Sequence, residues 1–150
     1  MFVDSHCHLD FPGLIENLPG ILNRMQEAQV QEALCISVQL ETVENVLKLA
    51  QSQPNLWATV GVHPDYEDIQ EPTVDGLLEL AKRPKVIGIG ETGLDYFRLK
   101  GDLTWQRERF RTHIRAGNAC GKPIIVHTRN AGEDTLAILK EERADQCQGI

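Results

Sequence analysis

The chain lacks several features that would assign it to a class at once. Its 150 residues hold only four cysteines, Cys7, Cys35, Cys120 and Cys147, and no two of them form a C-x-x-C pair. This argues against a disulfide or zinc-finger framework and favours reduced thiols. No basic segment followed by an apolar one opens the chain, and no apolar run approaches the roughly 20 residues of a membrane helix. We therefore expect a cytoplasmic protein without a membrane partner.

Positive charge is also scarce. The 15 lysines and arginines are outnumbered by 22 aspartates and glutamates, which gives a net charge of −7. Such a surface repels polyanions, so a nucleic acid or phosphate ester would need bound metal ions or local arginines. The apolar fraction of 41% is ordinary for a globular chain, and the length suits one domain. We treat residues 1–150 as a single domain.

Five apolar runs alternate with segments of helical periodicity. The predicted strands are Phe2–Ser5, Ala33–Val38, Leu56–Val62, Lys85–Gly90 and Pro123–His127. The segments between them place apolar residues at helical spacing. The pattern is complete in two segments, at Val43, Val46, Leu47 and Ala50 and at Val74, Leu77, Leu78 and Ala81. It is sparser in two others, at Phe110, Ile114 and Gly117 and at Leu136 and Leu139. This alternation predicts a parallel α/β fold whose strands are buried on both faces.

The number of strand–helix units bears on the architecture. A closed TIM-type (β/α)8 barrel needs eight strands and typically about 250 residues. Residues 147–150 look like the approach to a sixth strand. We therefore expect a TIM-type barrel truncated to about five βα units. The alternative is an open five-stranded sheet, which would need covered edges.

Histidines and a glutamate fall at the carboxyl ends of the predicted strands. His6 and His8 flank Cys7 at the end of the first strand, and they point the same way because strand side chains alternate. Glu91 ends the fourth strand and His127 ends the fifth. Barrel active sites are built at this end, and imidazoles with a carboxylate suit zinc and other divalent ions.

Each of these residues has an ordinary structural explanation when it is taken singly. Glu91 could cap the segment that follows it, and His127 could be a hydrogen-bonded core residue. Their recurrence at equivalent strand ends outweighs those explanations. We predict that His6, His8, Glu91 and His127 form a shared metal site, in which the carboxylate can bridge two ions.

Neighbouring polar residues are candidates for substrate contacts. They are His63, at the end of the third strand, Asp95 and Arg98, in an irregular stretch predicted over 92–103, and Arg129, two residues after His127. An aromatic pair beside Arg98 could stack a base, and both arginines could bind phosphate. The alternatives are a loop packed by its own side chains and, for Arg129, a salt bridge.

Three further residues receive structural predictions. Cys7 points away from the two histidines and is predicted to be a small buried hydrophobe. His113 lies beside the apolar stripe and is predicted to be exposed or partly buried. Gly93 is assigned to a turn of the loop after the fourth strand.

Four motifs in this order resemble the TatD family of metal-dependent hydrolases. They are Val-Asp-Ser-His-Cys-His-Leu-Asp (3–10), Gly-Val-His-Pro (61–64), Gly-Glu-Thr-Gly-Leu-Asp-Tyr (90–96) and Pro-Ile-Ile-Val-His-Thr-Arg (123–129). The resemblance implies an amidohydrolase-type barrel with a binuclear metal centre. By matching motifs it implies that His6 and His8 hold the first ion, catalytic Glu91 bridges both, and His127 holds the second. The implied cofactors are two divalent ions, Zn, Mg or Mn.

The resemblance also implies a longer protein. Family members continue beyond the matched region, where a further histidine and a late aspartate complete the metal shells. His127 is the last histidine here. We expect this chain to be the N-terminal portion of a TatD-like protein, which by itself binds metal weakly and turns over little substrate.

Three functional hypotheses follow. The first is a phosphodiesterase of the deoxyribonuclease type, in which a metal-bound hydroxide attacks DNA or another phosphodiester. The second is an amide or ester hydrolase of the same superfamily. The third is a non-catalytic half-barrel that self-associates through unpaired sheet edges. The oligomeric state is not predicted.

Overall fold

The computed structural model describes residues 1–147, and strands alternate with helices throughout that range. The elements are β1 (Phe2–Cys7), α1 (Leu18–Glu27), β2 (Val30–Cys35), α2 (Val43–Ser52), β3 (Leu56–Val60), α3 (Val74–Ala81), β4 (Val86–Asp95), α4 (Thr104–Cys120), β5 (Ile124–Arg129) and α5 (Gly132–Glu141). Short 3₁₀ helices span Ile15–Asn17 and Ala144–Cys147. Within the described range, no helix combines the length and apolar character needed to cross a membrane.

The five strands form one parallel sheet in the order β1-β2-β3-β4-β5. Each of the helices α1–α4 therefore returns the chain to the adjacent position in the sheet, as the units of a barrel do. The predicted parallel α/β fold is confirmed. All strands present their carboxyl ends at one edge of the sheet, which is where the candidate site residues gather.

The core lies between the sheet and the helices, and α2 shows how it forms. Val43, Val46, Leu47 and Ala50 are each at most 4% exposed, as their helical spacing predicts. They share one apolar cluster with Leu56 of β3. Burying a valine or leucine side chain contributes roughly 1.5–3 kcal/mol. This stripe, more than intrinsic helix propensity, holds α2 on the sheet.

The margins of the sheet are less covered than the sequence predicts. Phe2 and Val3 of β1 are 63% and 64% exposed, and Leu136 of α5 is 59% exposed. β1 and β5 are the outer strands of the sheet, and no layer beyond them is present in residues 1–147. The prediction of burial on both faces is therefore wrong for β1, and the apolar stripe of α5 is only partly buried.

β4 is longer than its apolar run predicts. It extends to Asp95, because the ladder with β5 continues from the Thr92–Val126 pair to the Asp95–Arg129 pair. Glu91 thus lies inside the strand, and the irregular stretch begins after Asp95. Gly93 belongs to the strand, so its predicted turn role is wrong. Its φ is 132°, and a Cβ there would collide with the carbonyl oxygen of His127.

β2 is displaced from its predicted range. It spans Val30–Cys35 rather than Ala33–Val38, because its first residue pairs with Phe2 of β1. The ends of β1, β3 and β5 differ from prediction by one or two residues. The predicted approach to a sixth strand lies mostly outside the described residues, since Cys147 belongs to a 3₁₀ helix and residues 148–150 are not described.

His113 of α4 is fully buried, so the prediction of exposure or partial burial is wrong. Its Nδ1–H donates to the Arg109 carbonyl at 2.8 Å, and its Nε2 accepts from the Val62 N–H at 3.0 Å. An imidazole that donates from one nitrogen and accepts at the other is neutral. Burial lowers the pKa of His113 to about 4. The side chain ties α4 to the segment that leads from β3 to His63.

His113 should make stability depend on pH. The unfolded chain has a histidine pKa of about 6.5, so between pH 6.5 and pH 4 it binds more protons than the folded chain. The contribution of His113 is therefore full above pH 6.5 and is lost as pH falls. We expect the titration of His113 to lower the free energy of unfolding by about 2 kcal/mol between pH 7.5 and pH 5.

Urea unfolding at several pH values measures this effect in the parent chain and in His113→Gln, where the amide oxygen can still accept from Val62. The variant should lose less stability on acidification than the parent. Equal pH slopes in the two proteins would contradict the prediction.

Candidate metal centre

An open cleft of about 440 Å³ lies at the carboxyl ends of the strands. Its lining residues are His6, His8, Phe11, Val38, His63, Asp65, Tyr66, Glu91, Asp95, Arg98, His127 and Arg129. All eight residues predicted to bind metal or substrate are among them. The fold therefore brings together, at one place, polar groups that the sequence distributes over four of the five strand–helix units.

Glu91 lies at the centre of this cleft and is 7% exposed. Its Oε2 is 3.2 Å from His6 Nε2 and 3.9 Å from His8 Nε2. Its Oε1 is 3.7 Å from His63 Nε2 and 3.5 Å from His127 Nδ1. Each carboxylate oxygen thus faces its own pair of imidazoles.

These donor atoms form two potential metal-binding triads. The groups His6–His8–Glu91 and His63–Glu91–His127 each bring one ligand atom per residue within 4.8 Å of the others. Both triads are drawn from the described part of the chain. Because Glu91 belongs to both, one carboxylate is placed to bridge two ions.

The backbone around Glu91 is held by neighbouring strands. Gly90 has a φ of 142°, and its peptide bond to Glu91 is cis. A Cβ on Gly61 would lie 2.5 Å from the Gly90 Cα, so only glycine lets the two segments approach this closely. The Thr59 hydroxyl donates to the Gly90 carbonyl at 2.6 Å, and the Glu91 N–H donates to the Ser37 carbonyl at 2.9 Å. β4 is thereby tied to both β3 and the segment after β2.

Hydrogen bonds fix the ring orientation of two histidines. The His8 Nδ1–H donates to the Ile36 carbonyl at 3.1 Å, and the His127 Nε2–H donates to Asp95 Oδ2 at 3.0 Å. These partner oxygens accept only, so the remaining lone pairs, on His8 Nε2 and His127 Nδ1, face Glu91. Metal-binding histidines show this arrangement, in which the second nitrogen donates to a carbonyl or carboxylate. The donor set therefore fits divalent metal ions.

Asp95 lies beneath His127 and is fully buried. Its Oδ1 accepts from the backbone N–H groups of Phe97 at 2.9 Å and Arg98 at 3.0 Å. Burial opposes its ionisation, but the hydrogen bonds from Arg98, His127 and Phe97 outweigh burial, and the pKa of Asp95 is lowered. The carboxylate is thus charged and engaged with His127.

His63 differs from His8 and His127 because its backbone hydrogen-bond partner donates to the ring instead of accepting from it. Its Nδ1 accepts from the Asp65 N–H at 3.1 Å, so the neutral ring carries its proton on Nε2, the atom 3.3 Å from His127 Nδ1. Burial lowers the pKa of His63, which favours this neutral form. A nitrogen that carries a proton does not bind a metal. His63 fits an N–H donor better than a ligand, although it lies within the second triad.

Arg98 lies in the loop after β4, and Arg129 ends β5 beside that loop. The guanidinium of Arg98 is 3.1 Å from Asp65 Oδ2, and that of Arg129 lies 3.9 Å above the Phe97 ring. The Tyr96 hydroxyl donates to Asp134 Oδ2 at 2.6 Å. The loop residues are therefore held by contacts to neighbouring elements, and both arginines line the cleft.

Four lining residues carried no recognised signal in the sequence. Asp65 and Tyr66 follow His63 directly after a strand, so their position relative to that histidine could have identified them. Phe11 follows His8 by three residues and stacks on its ring, with centroids 4.8 Å apart. Val38 is apolar and offered no such signal.

The chain is similar in sequence to a known protein family and to several of its members. The family model described as TatD related DNase matches residues 3–150. The metal-dependent hydrolase YcfH of Escherichia coli (strain K12), described as uncharacterized, is 37% identical over 99% of this chain and 57% of its own length. The "3'-5' ssDNA/RNA exonuclease TatD" of Escherichia fergusonii is 33% identical over 80% of this chain and 46% of its own.

A solved structure shows the same fold. The TatD homologue YJJV from Escherichia coli matches with a TM-score of 0.84 and 27% identity, over 96% of this chain and 57% of that one. The five strands thus form a curled half-barrel, and the predicted TIM-type barrel of about five units is confirmed. The chain spans 57–60% of the length of the curated relatives that it matches over almost its whole extent.

Asp95 should control metal affinity through His127. In Asp95→Asn, the amide oxygen can keep the bonds from Phe97 and Arg98, but the amide nitrogen would oppose the His127 Nε2–H. Loss of such a supporting partner typically costs 10- to 100-fold in metal affinity, so we expect roughly that decrease.

Zinc titration by calorimetry measures this affinity. Asp134→Asn is the matched control, because it makes the same change at an exposed carboxylate that binds Tyr96. Equal zinc affinities of Asp95→Asn and the parent chain would contradict an orienting role.

Proposed function

Because this chain belongs to the TatD family of metal-dependent hydrolases, we propose that it carries the metal-binding part of a phosphodiesterase that acts on nucleic acid. The observation that carries the proposal is the position of Glu91, with each carboxylate oxygen facing a separate pair of imidazoles. A carboxylate in this position could bridge two ions, and two-ion sites are common in enzymes that hydrolyse phosphate esters.

The ligand geometry supports a definite division of roles. His6 and His8 would hold one divalent ion together with Glu91 Oε2. His127 would hold the other together with Glu91 Oε1, and Asp95 keeps its imidazole in position. When bound, the ions would supply an activated water and neutralise charge on phosphoryl oxygens. Imidazole-rich sites suit zinc best, with manganese and magnesium as weaker candidates.

The charge of the cleft favours an anionic substrate only when metal is bound. Three carboxylates and two guanidinium groups line it, so its side chains carry a net charge of −1 while the histidines are neutral. Two divalent ions would reverse that sign locally, although the chain as a whole carries −7. The exonuclease named among the relatives acts on single-stranded DNA and RNA, which favours single-stranded nucleic acid as the substrate class.

Three side chains would bind and orient the substrate. The Nε2–H of His63 is available to donate to a substrate oxygen once a metal occupies His127 Nδ1. Arg98 is held over the cleft by Asp65, and Arg129 is supported by the Phe97 ring. Guanidinium groups fixed in this way suit phosphate, which accepts two parallel hydrogen bonds.

The proposal predicts that Glu91→Gln removes both metal binding and hydrolysis. The amide keeps the size of the side chain but loses the charge that two ions would share. We expect the parent chain to cleave a single-stranded oligonucleotide slowly, with a chelator stopping the reaction. The rate of oligonucleotide cleavage by the variant should be more than about a hundredfold lower than that of the parent, because metal stabilisation of the transition state is worth several kcal/mol.

The assay needs a substrate panel and a matched control. Glu79→Gln changes an exposed glutamate that pairs with Lys82 on α3, away from the cleft, and should behave as the parent. Carboxylic ester and amide substrates are tested beside the oligonucleotide. Faster metal-dependent turnover of either would favour the second hydrolase hypothesis, and sedimentation of an inactive oligomer would favour the self-associating half-barrel.

Arg129 should contribute to phosphate binding. A hydrogen bond to a charged group is worth about 1.5–3 kcal/mol, so Arg129→Ala should raise KM for the oligonucleotide by at least about tenfold and change kcat less. Arg115→Ala removes an exposed arginine that pairs with Glu142 and serves as the control. Identical KM values for Arg129→Ala and Arg115→Ala would exclude a specific phosphate contact.

A further inference from the structure

Two thiols lie side by side behind the metal centre. Cys7 of β1 pairs in register with Cys35 of β2, and their sulfur atoms are 3.9 Å apart. Cys7 stands between His6 and His8, so strand alternation directs its thiol away from the cleft. Cys35 is fully buried, whereas Cys7 is partly accessible. An oxidant therefore has access to the pair through Cys7.

The geometry of the pair suits a disulfide bond. Neighbouring strands lie about 4.8 Å apart, and Cα atoms joined by a disulfide are usually about 4.4–6.8 Å apart. The side chains of Cys7 and Cys35 converge, because their sulfurs are closer together than the strands are. A bond needs the sulfurs to approach from 3.9 Å to about 2.05 Å.

We propose that Cys7 and Cys35 form a reversible disulfide whose formation weakens metal binding at the neighbouring centre. With a peroxide as oxidant, the two thiols lose two protons and two electrons, the S–S bond forms, and the O–O bond breaks to give two hydroxyl-bearing products. With a small-molecule disulfide, exchange passes through a mixed disulfide and releases two small thiols.

The contacts around the thiols connect them to the metal ligands. The Cys7 carbonyl accepts from the Ile36 N–H at 2.8 Å, and the Ile36 carbonyl accepts from His8 Nδ1–H at 3.1 Å. Two residues after Cys35, the Ser37 carbonyl accepts from the Glu91 N–H at 2.9 Å. The segments that carry both thiols therefore also position His8 and Glu91.

A crosslink would disturb that support. Closing the sulfur gap rotates both side chains and locks the spacing of the backbone segments that support His8 and Glu91, whereas metal–ligand distances tolerate only about 0.2 Å. Changes in the groups that support metal ligands typically reduce affinity 10- to 100-fold. We expect the oxidised chain to bind zinc about tenfold more weakly and reduction to restore the affinity.

The experiment treats the 150-residue chain with hydrogen peroxide or with glutathione disulfide. Alkylation under denaturing conditions and peptide mapping then locate any crosslink, and zinc affinity is measured before oxidation, after oxidation and after reduction. Cys120→Ser keeps both thiols and should form the crosslink. Cys35→Ala cannot form it, and its zinc affinity should be insensitive to oxidant.

The outcomes separate this inference from the proposed function, on whose metal site it rests. Zinc binding by the reduced chain tests the metal site, and oligonucleotide cleavage tests the activity. A Cys7–Cys35 link together with reversible weakening of zinc binding supports the inference. Failure of the link to form, a link between other cysteines, or a linked chain that binds zinc as tightly as the reduced one overturns it, whether or not the variants fold.

Discussion

The carboxylate of Glu91, shared between two pairs of imidazoles, is the interaction on which the rest of the site depends. A buried carboxylate is costly unless cations or hydrogen-bond donors face it. The groups that face Glu91 are imidazoles, and two of them, His8 and His127, turn bare nitrogens toward it. Cations placed between the carboxylate and these rings would therefore balance its charge, which is why the cluster could hold metal ions.

The surrounding structure serves to hold that geometry. Gly61 lets the backbone after β3 approach Gly90 closely, Gly90 lets β4 approach Ile125 of β5, and the Glu91 N–H donates to the Ser37 carbonyl. Asp95, charged although buried, sets the orientation of His127. At His63 the direction of the hydrogen bond is opposite: a backbone N–H donates to its Nδ1, so the proton of the neutral ring lies on Nε2, on the cleft side. The imidazoles of His8, His63 and His127 therefore differ in whether the nitrogen that faces Glu91 carries the proton, because each ring has a different hydrogen-bond partner.

The supports are not confined to the cleft. Contacts through Ile36 and Ser37 connect the back of β1 and β2 to His8 and Glu91, and the thiols of Cys7 and Cys35 lie within this framework. His113 plays a comparable part on the helix side, because it fixes the segment that leads to His63. Since metal sites tolerate little displacement, we expect changes in these outer contacts to alter metal binding at the cleft.

The sequence by itself determined the order of strands and helices, the parallel α/β class and the set of polar residues at the strand ends. Apolar periodicity encodes which face of α2 is buried, and strand alternation places His6 and His8 on one side. Only the tertiary structure decided where β4 ends, because its last residues are held by pairing with β5 rather than by apolar character. It also decided that His113 is buried, that Asp95 lies under His127 and that each oxygen of Glu91 faces its own pair of rings. Those facts rest on contacts between residues far apart in the chain, which local patterns of side-chain type do not record.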